Sequence, residues 1–412
     1  MNKLVKSLGK VGYICPDTWI NIPQAQKLRE HVLKNYGINT IISFHHSVFS
    51  DASVNAIIFI LTKDNFYENC EFINVISNNY SIGNLNNTTQ CDVSNWKKSK
   101  DNKFQIWQNE SDIDIIKKIQ WNSKLGEDVL DISQGIVPYS KENLTEEQVK
   151  QRIYHNSEKL NENFGDWVQG RSLLRYGIDL TNKEYLKYGE WLHRPRKAKY
   201  FNGNRILIQE ITGGNPPRIK ATIFNGLLYH DPGIIACLNK STFNLEYILA
   251  IINSKLISWY NLKTAPKGKR TTFPKLLIGD VRNIPFANTL QEKQIKLSEK
   301  VQVILKLNKV LMEISEKFQR NLYRKFKLTE MSKKMQEWHI YSYVDFIKEL
   351  SKLKIKLTLS EEAEWEEYFN SEKKKALDIL AEIEKADKEI DQMVYKLYEL
   401  TDEEIRIVES SN

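Results

Sequence analysis

NLEYILAIINSKLISWYNLKTAPKGKRTTFPKLLIGDVRNIPF, residues 244–286, begins as a helix and ends as something else. Leu245, Ile248, Leu249, Ile252 and Leu256 recur at i, i+3, i+4, i+7 and i+11, which predicts one helix with a single apolar stripe. Asn244 is placed to cap its start, and Glu246 sits where the helix dipole favours a carboxylate. Pro266 and Gly268 break the pattern, and Lys267–Thr272 then carries three positive charges and two hydroxyls. Leu276–Ile278 reads as a strand, and Asn283–Pro285 closes the unit. A buried helix delivering a cationic, hydroxyl-rich loop suits a phosphate backbone, because Lys and Arg neutralise phosphates and release counterions. An ordinary solvated loop is the alternative.

Working outward, 412 residues suggest two or three domains, and 41% hydrophobic content is enough for real cores. No apolar run approaches the roughly 18 residues of a membrane span. The N-terminus has lysines but no extended apolar stretch, so a signal peptide is not expected. Cys15, Cys70, Cys91 and Cys237 form no CxxC pair, which argues against a zinc site or a disulfide framework and fits a cytoplasmic protein. The net charge of +8 is unevenly placed. Residues 166–220 hold eleven Lys/Arg against five Asp/Glu, and 255–282 hold seven against one. A basic centre in a mildly acidic frame is the footprint of a polyanion-binding surface.

Residues 1–77 alternate strand and helix: Val11–Cys15, a helix over Pro23–Asn35, then Ile41–His45, Ala56–Thr62 and Phe72–Ser77. The alternation suits a piece of a doubly wound sheet, too small for a whole α/β domain. Residues 78–125 are polar and read as a linker. Residues 126–286 read as a recognition module. Within it, VQGRSLLRYGIDL (168–180) sets Arg171 and Arg175 four apart, and YLKYGEWLHRPRKAKYF (185–201) interleaves aromatics with Arg194, Arg196, Lys197 and Lys199. Cations alternating with aromatics suit phosphate anchoring and base contact; core aromatics with solvated basic tips are the plainer reading. Residues 287–412 are helical and charged, with long amphipathic patterns from Gln291 to about Lys327 and from Glu361 to Leu400 that predict an antiparallel arm. Thr401 and Glu404 stand at capping-box distance before a last short helix.

The segment INSKLISWY…KGKRTTFPKLLIGDVRNIPF resembles the core of the TaqI-like C-terminal specificity domain, the target-recognition region of adenine-specific DNA methyltransferases and of fused restriction–methylation enzymes. DISQGIVPYSKE (131–142), VQGRSLLRYGIDL (168–180) and YLKYGEWLHRPRKAKYF (185–201) match it in order and spacing. Residues 12–61, GYICPDTW…AIIFIL, resemble the final strands of the adenine methyltransferase catalytic domain, and EIDQMVYKLYELTDEEIRIVE resembles the tail of type IIG enzymes. The resemblance implies an α+β multidomain chain: a partial α/β methyltransferase lobe (1–77), a mixed α+β target-recognition domain (126–286) and a long-helix arm (287–412). It implies double-stranded DNA as partner, with phosphate and base contacts from Arg171, Arg175, Arg194, Arg196, Lys197, Lys199, Arg218, Lys220, Lys267, Lys269 and Arg270. Val48-Phe49 matches the position that places an aromatic ring against the flipped adenine, so Phe49 is the expected stacking residue. Two family features are missing from the sequence: the glycine-containing loop for S-adenosylmethionine and the Asn/Asp-Pro-Pro-aromatic tetrapeptide. Methyl transfer is therefore expected to need missing residues or a catalytic methyltransferase half on a partner chain, either of which would bind the S-adenosylmethionine.

Asn215-Pro-Pro217 is a decoy, because Arg218 occupies the aromatic position; a turn presenting Arg218 and Lys220 is expected there. No histidine spacing fits a metal site, and no P-loop, GxSxG or nuclease signature is present. Two other classes remain: a non-enzymatic specificity subunit acting in trans, and a scaffold whose helical arm is the working part.

Overall fold

The computed structural model describes residues 5–44, 48–49, 55–75, 88–106, 110–181, 183–214, 216–265, 274–328 and 330–410. Its first lobe is a five-stranded sheet of β1 (Lys10–Pro16), β2 (Tyr36–Phe44), β3 (Ala56–Lys63), β4 (Asn69–Val75) and β5 (Thr88–Asp92), in the order β1-β3-β2-β4-β5. Only β2 and β4 run parallel; the other ladders are antiparallel. The sheet is therefore mixed rather than parallel throughout. The nearly unbroken apolar runs of β2 and β3 are explained by burial on both faces. One face meets Val32 and Leu33 of α1 (Gln26–Asn35) with Trp96 and Phe104, and the other gathers Phe44, Ala56, Ile73 and Val75. Leu28 of α1 is exposed. Arg29 is buried in its place, donating to the carbonyls of Trp19 (2.6 Å), Ile22 (2.8 Å) and Asp101 (2.8 and 3.0 Å).

The linker expected over 78–125 is corrected. Within its described part, β5 closes the first sheet, and Val93, Trp96, Phe104 and Ile106 belong to that lobe's core. The helix α2 (Glu110–Gln120) then places Ile115, Ile116 and Ile119 in the next core. Polar composition misled because each element buries only one stripe. Spaced aromatics and isoleucines were the usable signal.

The central module has two four-stranded sheets. One consists of β6 (Leu130–Gln134), β9 (Arg205–Gln209), β10 (Ala221–Phe224) and β12 (Ile234–Asn239), ordered β10-β9-β12-β6. The other contains β7 (Phe164–Val168), β8 (Glu184–Lys187) and β11 (Tyr229–His230), with the short strand His155–Asn156 at its edge. Side chains alternate along a strand, so Leu207, Ile234 and Ala236 face the second sheet's Trp167 and Leu186, with Phe201 of the 198–201 turn among them. Ile206, Ile208, Ile235 and Cys237 face the helices on the other side.

The apolar stretch that opened the sequence reading is two helices, α3 (Leu245–Asn253) and α4 (Lys255–Thr264). Ser254 separates them and caps α4, its Oγ accepting from the Ile257 N–H at 3.2 Å. Asn244 does not cap α3. Its amide turns instead to Gln291 and Ser298 of the long helix α5 (Gln291–Phe326). Leu276–Ile278 is not a strand. Lys275 makes a lone bridge to Ile211, and a helical turn runs over Ile278–Arg282.

The arm pairs α5 with α7 (Leu359–Leu397), and α6 (Tyr343–Lys352) packs at its far end. Lys300 with Glu389 and Lys325 with Glu361 fix an antiparallel order. The arm has a core at each end. Leu297, Val301, Ile304, Ile390 and Val394 join the central core, while Phe318, Trp338, Phe346 and Phe369 stack at the tip. Thr401 and Glu404 cap α8 (Asp402–Ser410) reciprocally.

Candidate nucleic-acid interface

The basic residues singled out from sequence divide by what the fold sets beside them. Arg175 and Arg218 face inward. Arg175 donates to both carboxylate oxygens of Asp387 (2.7 and 2.8 Å) and to the Asn253 carbonyl (2.9 Å). Arg218 donates to the same carbonyl at 2.9 Å and lies 3.8 Å from Asp391. Asp387 and Asp391 belong to α7, so the two arginines bind the module to the arm. Their assignment as DNA contacts is corrected. A guanidinium held by a buried carboxylate has no free donor fork for a phosphate. The 213–218 turn does form, through a Gly213–Arg218 bridge, but it does not present Arg218. Burial pushes Asp391 up to about 6, against the pull of Arg218.

Other cations of the two basic windows are neutralised locally. Lys183 meets Asp166, Lys263 meets the buried Asp112, and Lys275 meets Glu210. Arg205 is fully buried on the carbonyls of Gly203, Gly226 and Leu228. Charge counting along the sequence could not see these partners.

What remains outward is a smaller set. Arg194, Lys197 and Lys199 are exposed on one loop, which is pinned by Arg196. The Nε of Arg196 donates to the Gly135 carbonyl at 3.2 Å, and its backbone takes φ +63°. Lys199 reaches Asp131 at 2.5 Å, and that contact, then Tyr200, holds the Asp131 carboxyl below the usual range. Among the described residues neither Arg194 nor Lys197 has a salt bridge. Gly135 touches the 230–234 turn through its N–H to Ile234, and Asp231 of that turn accepts from the Gly170 N–H at 2.9 Å. The turn therefore anchors both the 194–199 loop and the Gly170–Ser172 segment, which carries the exposed Arg171. At its centre His230 is fully buried, and burial pushes it down to about 3, so it is neutral.

Arg171 and Lys220 line a cleft of about 940 Å³ between module and arm, facing Lys333 and Gln319 of the arm. Arg152 and Glu184, paired at its rim, were not anticipated. Burial works against the Glu184 charge, but Arg152 outweighs it and holds the carboxyl below its usual range. The two walls are far apart in sequence, so no spacing rule could have found the cleft. Lys267, Lys269 and Arg270 lie outside the described residues. Phe49 lies between β2 and β3, 46% exposed, so its ring is not core.

Three family models match in order. Residues 1–131 match N-6 DNA Methylase, 166–286 the TaqI-like C-terminal specificity domain, and 290–394 a domain of unknown function. The chain is 23% identical over 329 residues to a Methanocaldococcus jannaschii protein named as a type II restriction enzyme and methyltransferase. That match covers 78% of this chain and 26% of the relative, so the chain spans about a quarter of that protein's length. Among solved structures, the Type IIL restriction–modification enzyme MmeI in complex with DNA superposes with a TM-score of 0.50 at 12% identity. It covers 97% of this chain and 48% of MmeI, a likeness of fold. The Type ISP enzyme LlaGI gives 0.44 at 12% identity, over 73% of this chain and 30% of that one.

Proposed function

We propose that this chain, with its N-6 DNA methylase segment and TaqI-like specificity domain, is the DNA-recognition part of an adenine-specific DNA methyltransferase of a restriction–modification system. One observation carries the reading. The specificity-domain match over 166–286 falls on the double-sheet module whose outward cations gather around a single turn, 230–234. In this reading Arg194 and Lys197 take phosphates, with Arg171 and Lys220 beside them. Side chains of the same loops read base edges in the major groove. Phe49 replaces the stacking neighbours that an extruded adenine loses.

The first lobe does not fit S-adenosylmethionine. Its core is apolar, and among its described residues Asn74 Oδ1 is the one buried side-chain polar atom without a hydrogen-bond partner. The cofactor site and the catalytic tetrapeptide come from residues outside this sequence or from a partner chain. Fluorescence anisotropy with duplex DNA at several salt concentrations tests recognition, and tritiated methyl transfer after mixing with a chain carrying the tetrapeptide tests the division of labour. Affinity that falls steeply with salt and methylation only in the mixture are expected. Duplex binding with no methylation in any mixture would leave the specificity subunit in trans as the correct reading. Absence of duplex binding would sink both.

A further inference from the structure

The far end of the arm carries an apolar face that the rest of the chain leaves uncovered. Ile340, at the end of the turn before α6, is 62% exposed, and Val344 on α6 is 61% exposed. Leu359, at the start of α7, is 87% exposed. Between α6 and α7 runs a groove of about 570 Å³, lined by Val344, Ile347, Lys348, Lys352 and Glu362. Its floor is held by Tyr343, whose hydroxyl donates to the Glu362 carbonyl at 2.8 Å. Large apolar side chains grouped at one exposed site, rimmed by charge, mark an interaction surface.

The charges decide the occupant. On α6, Val344, Lys348 and Lys352 follow at i, i+4 and i+8, one row on one side of the groove. On α7, Leu359, Glu362 and Glu366 follow at i, i+3 and i+7, and Glu362 lines the groove. Glu362 and Glu366 are exposed and have no salt bridge among the described residues. Lys348 meets Asp345 at 3.6 Å in an exposed pair, a kind that contributes little, whereas the solvent-exposed Lys352 also holds the buried Glu349 at 2.6 Å. An acidic partner would meet the glutamate row, and a polyanion would be repelled by it. A two-fold rotation instead lays each lysine row on the other copy's glutamate row, with Val344 and Leu359 between them.

We propose that the arm tip is a self-complementary interface through which two copies of this chain associate. The face is small beside the roughly 800 Å² per partner of a stable interface, so the pairing is concentration-dependent. Sedimentation velocity on the full chain over roughly a hundredfold concentration range reads it directly. The wild-type coefficient rises from the monomer toward the dimer value. V344D with L359D stays monomeric throughout; both side chains are exposed, and unchanged circular dichroism confirms folding. K348E and E362K/E366K are each monomeric alone and associate when mixed, which only pairing of Lys348 with the glutamate row explains; Lys352 is left in place because it holds the buried Glu349. A monomeric wild type at every concentration overturns the proposal. So does a mixture of the two reversal variants that fails to associate, or a K348E variant whose one change is weaker DNA binding.

Discussion

Arg175 and Arg194 belong to one basic run in the sequence, and the fold gives them opposite work. Arg175 is clamped by Asp387, so removing it leaves a carboxylate buried without its partner. Arg175→Ala should destabilise the protein by about 3–5 kcal/mol, read from urea midpoints at constant slope. Arg194→Ala should change stability by no more than about 0.5 kcal/mol while weakening duplex binding and lowering the salt slope by about 1. If Arg194→Ala unfolds the chain, or leaves affinity and slope untouched, the exposed loop is not the phosphate anchor. Asp391 supports a pH test. Its carboxyl is raised to about 6, so the folded state holds the proton more tightly than the unfolded chain. Its contribution is fully present below the ordinary aspartate range and is lost as pH rises through about 6. His230 works the other way: depressed to about 3, it costs stability as pH falls below the ordinary histidine range. Asp391→Asn should therefore gain stability relative to wild type as pH is raised from about 4 to about 7. A difference that does not vary with pH would show that Asp391 is not the group being titrated.

At the scale of single elements, the sequence located helices by period and misjudged their joints. One apolar stripe predicted one helix over 245–256, but Ser254 breaks it. The Ser254 hydroxyl donates to the Ile251 carbonyl at 2.7 Å while accepting from Ile257, finishing one helix and starting the next. Just before it, Asn253 clamps β10 through both backbone groups of Ala221, at 2.9 and 3.0 Å. Ser254→Ala should cost about 1–2 kcal/mol, with Ser254→Thr recovering much of it. Equal losses in both variants would place the effect in packing rather than in the cap. Gly135 shows a different constraint. A Cβ there would lie 1.9 Å from the Asp231 carbonyl oxygen, so Gly135→Ala must displace the turn that holds both outward loops. It should cost about 1–3 kcal/mol and weaken DNA binding together with stability. Loss of one without the other would separate the turn from the interface.

For the whole molecule, the main correction is that α2, the module and the arm are joined by direct contacts. Lys118 meets Glu404 at 2.7 Å, Lys263 meets Asp112, and the Tyr398 hydroxyl donates to the Pro285 carbonyl at 2.6 Å. Residues 88–106 and 110–120 should therefore resist limited proteolysis as well as the strands do; rapid cleavage within α2 would restore the linker reading. Period and propensity are local properties, and so β1 to β4 of the first lobe, the two long helices and the last capping box were legible from the sequence alone, whereas β5 was not. Motif order identified the methylase-like and specificity-like segments for the same reason. Which arginines face solvent was not legible. Arg175 and Arg218 meet their aspartates across more than a hundred residues of chain, and a charge is neutralised by what lies beside it in space, which only the tertiary structure decides.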